Sequence, residues 1–122
     1  MGFGKPGGVV VVGEPYWKKE PAAAFLEIEG VAREDFHDLD GCRQVALDLG
    51  LELSWMRGSS LAEWDAYEMR QCAAVDAFAQ AFPEDPDLDE VRARRRLQDE
   101  SYLRWGRDSL GWAIWAFRVP AA

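Results

Sequence analysis

Glu14, Tyr16 and Trp17 follow directly on the run Val9-Val10-Val11-Val12, so a carboxylate and two aromatic rings stand close together just past an apolar stretch. Such a group can grip an amine or another cationic molecule through charge and ring faces, and a carboxylate in a dry pocket can take up a proton. The structural alternative is that Tyr16 and Trp17 pack under the next helix while Glu14 caps it. Trp64 and Tyr67 form a second aromatic pair at helical spacing. Helix–helix packing is the ordinary role of such a stripe, and closure over a pocket as a lid is the functional one.

The remaining reactive side chains point to less chemistry. His37 precedes Asp38, yet adjacent side chains diverge in most backbones and no nucleophile is identifiable beside them. Cys42 and Cys72 lie thirty positions apart with a single histidine in the chain, so neither zinc spacing nor a CxxC pair is present, and two reduced, mostly buried thiols are expected. Arg92, Arg94, Arg95 and Arg96 form the one basic run. Asp87, Asp89, Glu90, Asp99 and Glu100 surround it, which favours local ion pairs on a solvated face.

Composition bounds the partners. The 122 residues have the size of one ordinary domain, and 48% hydrophobic content with six Trp and six Phe can build a core. Fourteen Lys and Arg against twenty-two Asp and Glu give a net charge of −8, which argues against nucleic acid and anionic membranes. The apolar stretches are too short and too often broken by charge to span a bilayer, and residues 1–5 lack the apolar core of a secretory signal, so a cytoplasmic protein is expected.

The elements that must position these groups can be read from pattern and punctuation. Four β-branched residues at 9–12 without polar alternation suit a strand covered on both faces. Pro21 opens a short helix over 22–28 that Gly30 can close. Asp38 or Asp40 can cap a helix through Leu49 whose apolar side is Leu39, Cys42, Val45, Ala46 and Leu49, with Gly50 ending it. Residues 51–56 alternate, which predicts a strand with Leu51, Leu53 and Trp55 on one face. Ser60 and Glu63 have the form of a capping box before a long amphipathic helix through Trp64, Tyr67, Val75, Phe78 and Phe82, stopped by Pro83. Asp87 with Glu90 predicts another capped helix to about Gly106, antiparallel to the first, and residues 112–119 read as an interior strand ending at Pro120. No internal repeat or linker is visible.

The Lys5-Pro6-Gly7-Gly8 turn feeding the valine strand resembles the fifth strand of class I S-adenosylmethionine-dependent methyltransferases. The stretches 13–17, 59–68 and 102–112 are similar to a bacterial group of such enzymes. The resemblance covers nearly the whole chain as the C-terminal half of that fold. It implies a partial Rossmann-like α/β sheet of the last three strands, the final one antiparallel and lying between the other two. It also implies a single domain over 1–122, with a helical hairpin inserted at about 60–108 before the last strand. In function it implies a transferase that moves a methyl group from S-adenosylmethionine to a small-molecule acceptor, with Glu14, Tyr16, Trp17, Trp64 and Tyr67 as substrate-binding candidates. No catalytic residue is assigned, since methyl transfer mainly needs proximity and in-line alignment.

The family's glycine-rich cofactor turn and the acidic residue after its second strand have no counterpart here. Gly2, Gly4, Gly7 and Gly8 precede the first strand instead of joining a strand to a helix, so they read as a turn. The expectation is therefore a fragment that binds no cofactor or metal alone and waits for a missing N-terminal half. A different reading is a small non-enzymatic α/β protein that dimerises or binds another chain through the free edge of its first strand.

Overall fold

The computed structural model describes residues 5–121. Its elements run β1 (Val9–Trp17), α1 (Ala23–Glu29), a 3-10 turn (Arg33–Asp35), α2 (Leu39–Asp48), β2 (Glu52–Gly58), α3 (Leu61–Ala81), α4 (Leu88–Ser101), a π-helical turn (Tyr102–Gly106), α5 (Arg107–Ser109) and β3 (Leu110–Arg118). Two compact units result, a sheet unit (5–21, Ala32–Ser59, 108–121) and a helical unit (Ala22–Val31, Ser60–Arg107). No helix among the described residues is long and apolar enough to cross a membrane. Gly2 and Gly4 lie outside the described residues, while Gly7 adopts a positive φ of 79° in the turn that precedes β1.

In the sheet unit the strand order is β1-β3-β2, with β3 antiparallel to both neighbours. The last strand thus enters between the two earlier ones, as expected. One face carries Val10, Val12, Ala113, Trp115 and Phe117 beneath α2, where Ala46 and Leu51 complete the core. Asp38 caps α2 by accepting a 2.7 Å hydrogen bond from the Gly41 N–H, so Asp38, not Asp40, starts this helix. Gly30 closes α1 with a φ of 69°, a left-handed geometry that glycine adopts without penalty.

Three expectations about the strands need correction. β1 is not covered on both faces, because Val9 and Val11 are exposed opposite Arg118 and Ala116. It also does not end at Val12 but runs on through Pro15 to Trp17, and a proline is admissible there because β1 is an edge strand. In β2 the register shifts between Leu53 and Trp55, so Leu53 sits opposite Phe117 while Trp55 sits opposite Ala116 on the other face. The predicted common face of Leu51, Leu53 and Trp55 is lost to that bulge.

In the helical unit, α3 begins with the predicted capping box: the Ser60 hydroxyl accepts from the Glu63 N–H at 3.1 Å, and the Glu63 carboxylate accepts from the Ser60 N–H at 3.0 Å. A cluster of polar contacts joins α3 and α4. Arg95 donates to Glu68 at 3.3 Å and to Asp99 at 2.8 Å, and the Cys72 thiol donates to Asp99 at 3.2 Å. Arg95 is therefore turned inward, unlike exposed Arg92, Arg94 and Arg96, and the basic run is only partly a solvated face. Asp87 makes no cap with its side chain; Asp85 instead accepts from the Asp87 N–H at 2.8 Å. Farther along, Tyr102 and Arg107 both donate to Asp65, and Ser101 donates to Glu29 at 3.0 Å, which fixes the π-helical turn against α3 and α1.

Candidate functional site

Strand pleating decides which of the candidate residues meet. Glu14 and Tyr16 are two apart on β1 and share the face that looks toward α2, opposite Ala113 and Gly111 on β3. Ala113 in turn pairs with Gly58 on β2, so the carboxyl ends of β1 and β2 form a floor of small residues. The Tyr16 ring reaches across that floor. A methyl group built on Gly111 would fall 2.5 Å from its Cζ, and one on Gly58 would stand 3.7 Å from its hydroxyl.

Trp17 takes a different position. It is 3% exposed, its indole N–H donates to the Arg33 carbonyl at 2.8 Å, and its ring meets Phe36 edge-on at 5.4 Å. The Trp17 backbone N–H also donates to the His37 carbonyl at 2.9 Å, which brings the start of α2 alongside the end of β1.

Between β1 and α2 opens a cavity of about 230 Å³, lined by Val10, Val12 and Glu14 on one side and by His37, Cys42 and Val45 on the other. Trp115 and Phe117 form its base, stacked at 5.7 Å. The Trp115 indole N–H is buried without a hydrogen-bond partner among the described residues. Burial pushes the Cys42 thiol pKa up, and the negative charges of Glu14 and Asp38 push it further, so Cys42 stays a protonated thiol. His37 and Cys42 had no part in the sequence reading of the site. The signal that places them here is Asp38, because its cap puts one residue just before the helix and the other one turn inside it.

In the helical unit, Trp64 and Tyr67 stack at 5.9 Å with their planes 12° apart. Tyr67 is 54% exposed and so presents an open ring face, whereas the Trp64 indole N–H is buried without a partner among the described residues. No group of three or more His, Cys, Asp or Glu among the described residues could hold a metal ion.

The protein YjhP of Escherichia coli K12 is 32% identical over 114 residues, which cover 92% of this chain and 46% of YjhP. The X-ray structure of YjhP superposes with a TM-score of 0.88 at 31% identity, over 97% of this chain and 48% of that one. A crystal structure of an S-adenosylmethionine-dependent methyltransferase from Thiobacillus denitrificans, in complex with S-adenosyl-L-homocysteine, matches with a TM-score of 0.84 at 30% identity, over 93% of this chain and 46% of that one. The chain resembles half of an S-adenosylmethionine-dependent methyltransferase. A second such enzyme with S-adenosyl-L-homocysteine, from Geobacter sulfurreducens, gives a TM-score of 0.84 at 28% identity with the same coverage, 93% and 46%. No protein-family model matches the chain. It spans about half the length of the relatives it matches.

Neither described strand-to-helix connection has the form of the methyltransferase cofactor cradle. A nucleotide-type cradle needs a glycine-rich turn leading from a strand into open N–H groups at a helix start. The connection from β1 to α1 contains no glycine, and at the start of α3, directly after β2, Ser60 and Glu63 consume each other's N–H groups. What the sheet unit offers is a floor of small residues, a carboxylate and a ring near the carboxyl end of β1.

Proposed function

We infer that this chain is the acceptor-holding half of a methyltransferase whose substrate is a small molecule, and that it transfers no methyl group alone. The observation that supports the reading is the match over 93% of the chain, at 30% identity and a TM-score of 0.84, to a methyltransferase with bound S-adenosyl-L-homocysteine. Ligands of open α/β sheets bind at the carboxyl ends of the strands, and Glu14 and Tyr16 lie within the last four residues of β1, on the face toward α2. Glu14 would attract a cationic or amine acceptor and take its proton, while the Tyr16 ring and hydroxyl would orient it. Trp17 would support the site from behind. Trp64 and Tyr67 offer a stacked ring face in the helical unit for an aromatic or cationic portion of a substrate.

The test is a single-chain chimera in which this chain replaces the matched part of the Thiobacillus denitrificans enzyme. Calorimetric titration should show S-adenosyl-L-homocysteine binding by the chimera and none by the 122-residue chain. Across a panel of small amines, Glu14→Gln should lower kcat/KM for methylation at least tenfold while leaving cofactor affinity unchanged. Micromolar cofactor binding by the 122-residue chain, or a Glu14→Gln chimera with undiminished turnover, would overturn the reading.

A further inference from the structure

The cavity between β1 and α2 is polar at one end and apolar at the other, and its two walls agree on the direction. Along β1 the lining residues are Val10, Val12 and then Glu14, so the carboxylate comes last. The opposite wall has His37 and Cys42 first and Val45 and Leu49 after them. The Trp17 N–H donates to the His37 carbonyl at 2.9 Å, which ties the end of β1 to the start of α2, so the polar residues of both walls fall at the same end. Pairing with β3 sets Phe117 beside Val10 and Trp115 beside Val12, whereas Glu14 stands beside the small residue Ala113. Burial raises the Cys42 thiol pKa, and the charges of Glu14 and Asp38 raise it further, so both negative charges are felt at this end of the cavity. Among the described residues no lysine or arginine lines the space.

We propose that this cavity binds a small primary amine carrying one aromatic ring, with the ammonium group at Glu14 and the ring against Trp115 and Phe117. Size sets the body of the ligand. An apolar cavity of about 150 Å³ admits benzene, and drug-sized ligands need about 300 Å³ or more. A cavity of about 230 Å³ therefore suits a single ring with a short aminoalkyl arm and excludes a molecule the size of a nucleoside. Charge sets the head, because an anion would meet Glu14 and Asp38, and a neutral hydroxyl gains nothing from them. An aromatic body is favoured over an alkyl chain of equal size, since ring contacts with Trp115 and Phe117 add to the area buried. The proposal deepens the acceptor reading by naming the class of amine, and it rests on that reading only for calling the amine a methyl acceptor. Binding itself needs the sheet unit alone, to which every lining residue belongs.

The experiment is to titrate the 122-residue chain with phenethylamine, phenethyl alcohol and phenylpropionate by calorimetry. The indole N–H of Trp115, buried without a partner among the described residues, is followed by heteronuclear NMR and assigned from its loss in Trp115→Phe. The amine should bind about tenfold or more tighter than the alcohol, the carboxylate should bind weakest, and the Trp115 resonance should move as the amine saturates. Glu14→Gln should bring the amine to within about twofold of the alcohol and leave the alcohol's own affinity unchanged. Val12→Phe should fill the cavity and abolish binding of both; Val45→Phe should do the same from α2 and guards against a folding defect peculiar to β1. Absence of saturable binding at millimolar amine, an amine no tighter than the alcohol, binding that survives both phenylalanines, or a Trp115 resonance unmoved at saturation would each overturn the proposal. So would an oligomer of the chain that Val12→Phe and Val45→Phe both dissociate, since another chain would then occupy the cavity. Binding is read without cofactor. An amine that saturates the cavity yet is not methylated by the chimera would therefore sink only the methyltransferase reading, and a chimera whose methylation of amines ignores Val12→Phe would sink the cavity assignment alone.

Discussion

Gly111→Ala tests whether the Tyr16 ring occupies the floor of the candidate site. The new Cβ would stand 2.5 Å from Cζ and 2.7 Å from both Cε1 and the hydroxyl of Tyr16. Carbon atoms pack best at about 3.5–4.0 Å, so the overlap is about 1 Å and the ring must lift. Overpacking of this kind costs about 1–3 kcal/mol. Gly111 is not among the glycines with positive φ, so alanine suits its backbone and returns about 0.4–1 kcal/mol through the unfolded chain. The net expectation is a loss of about 1–2 kcal/mol. With Tyr16→Ala as background the ring is gone, and the same glycine substitution should become stabilising by about 0.4–1 kcal/mol. Urea unfolding of the four proteins, followed by circular dichroism, gives the coupling energy directly. If Gly111→Ala has the same effect in both backgrounds to within about 0.5 kcal/mol, the ring does not lie on this floor. The placement of the acceptor site would then fall with it.

Ser60→Ala removes one of two reciprocal bonds at the start of α3 and should cost about 1 kcal/mol of stability in the same unfolding assay, with Ser60→Gly costing only a few tenths. Asp65→Asn deprives the Tyr102 hydroxyl and Arg107 of their charged acceptor and should cost about 1–3 kcal/mol; adding Tyr102→Phe to it should cost less than Tyr102→Phe does alone. Glu14→Gln should lower the Cys42 thiol pKa, because the Glu14 charge is, after burial, the next cause of its rise, so iodoacetamide should label Cys42 faster at a fixed alkaline pH. A thiol with a raised folded pKa contributes stability that is present below the ordinary thiol range and is lost as pH rises through the raised value. The chain should therefore lose stability on that alkaline limb, and Cys42→Ala should flatten it.

The helix punctuation was legible because caps are local chemistry. Asp38, Gly30, Ser60 and Glu63 act in the structure as their spacing says, since each satisfies N–H or carbonyl groups within its own turn. The strand order was legible only through the resemblance, since pairing between distant segments leaves no local mark. What misled the strand reading was equally specific. Pro15 normally argues against a strand, yet it sits in β1 opposite Trp112 on an edge strand, where proline is tolerated. The bulge after Leu53 cannot be seen in an alternating sequence, and it moves Trp55 to the other face. Of the candidate site, period-two alternation places Glu14 and Tyr16 together once β1 is known to extend to Trp17. The same alternation turns Trp17 away, and its own hydrogen bond to Arg33 then anchors it there. Arg95 was read with its neighbours as solvated, but the acidic residues that pair with it lie on two helices, and only packing reveals that.

The valine run carries more than the outline of a strand. A face that always met water would be expected to alternate apolar with polar residues, as antiparallel sheets with one solvated side do. Here Val10 and Val12 point toward α2, and Val9 and Val11 are just as apolar on the face that stands open. β3 repeats the pattern independently, with Trp115 and Phe117 buried on one side and Ile114 exposed on the other, and β2 adds Trp55 to the same open face. Three strands distant in sequence thus carry exposed apolar residues on the same sheet face. Val45, Leu49, Leu53 and Met56 are exposed as well, on α2 and on the other sheet face, so what sets this face apart is that its apolar residues come from paired positions on three strands.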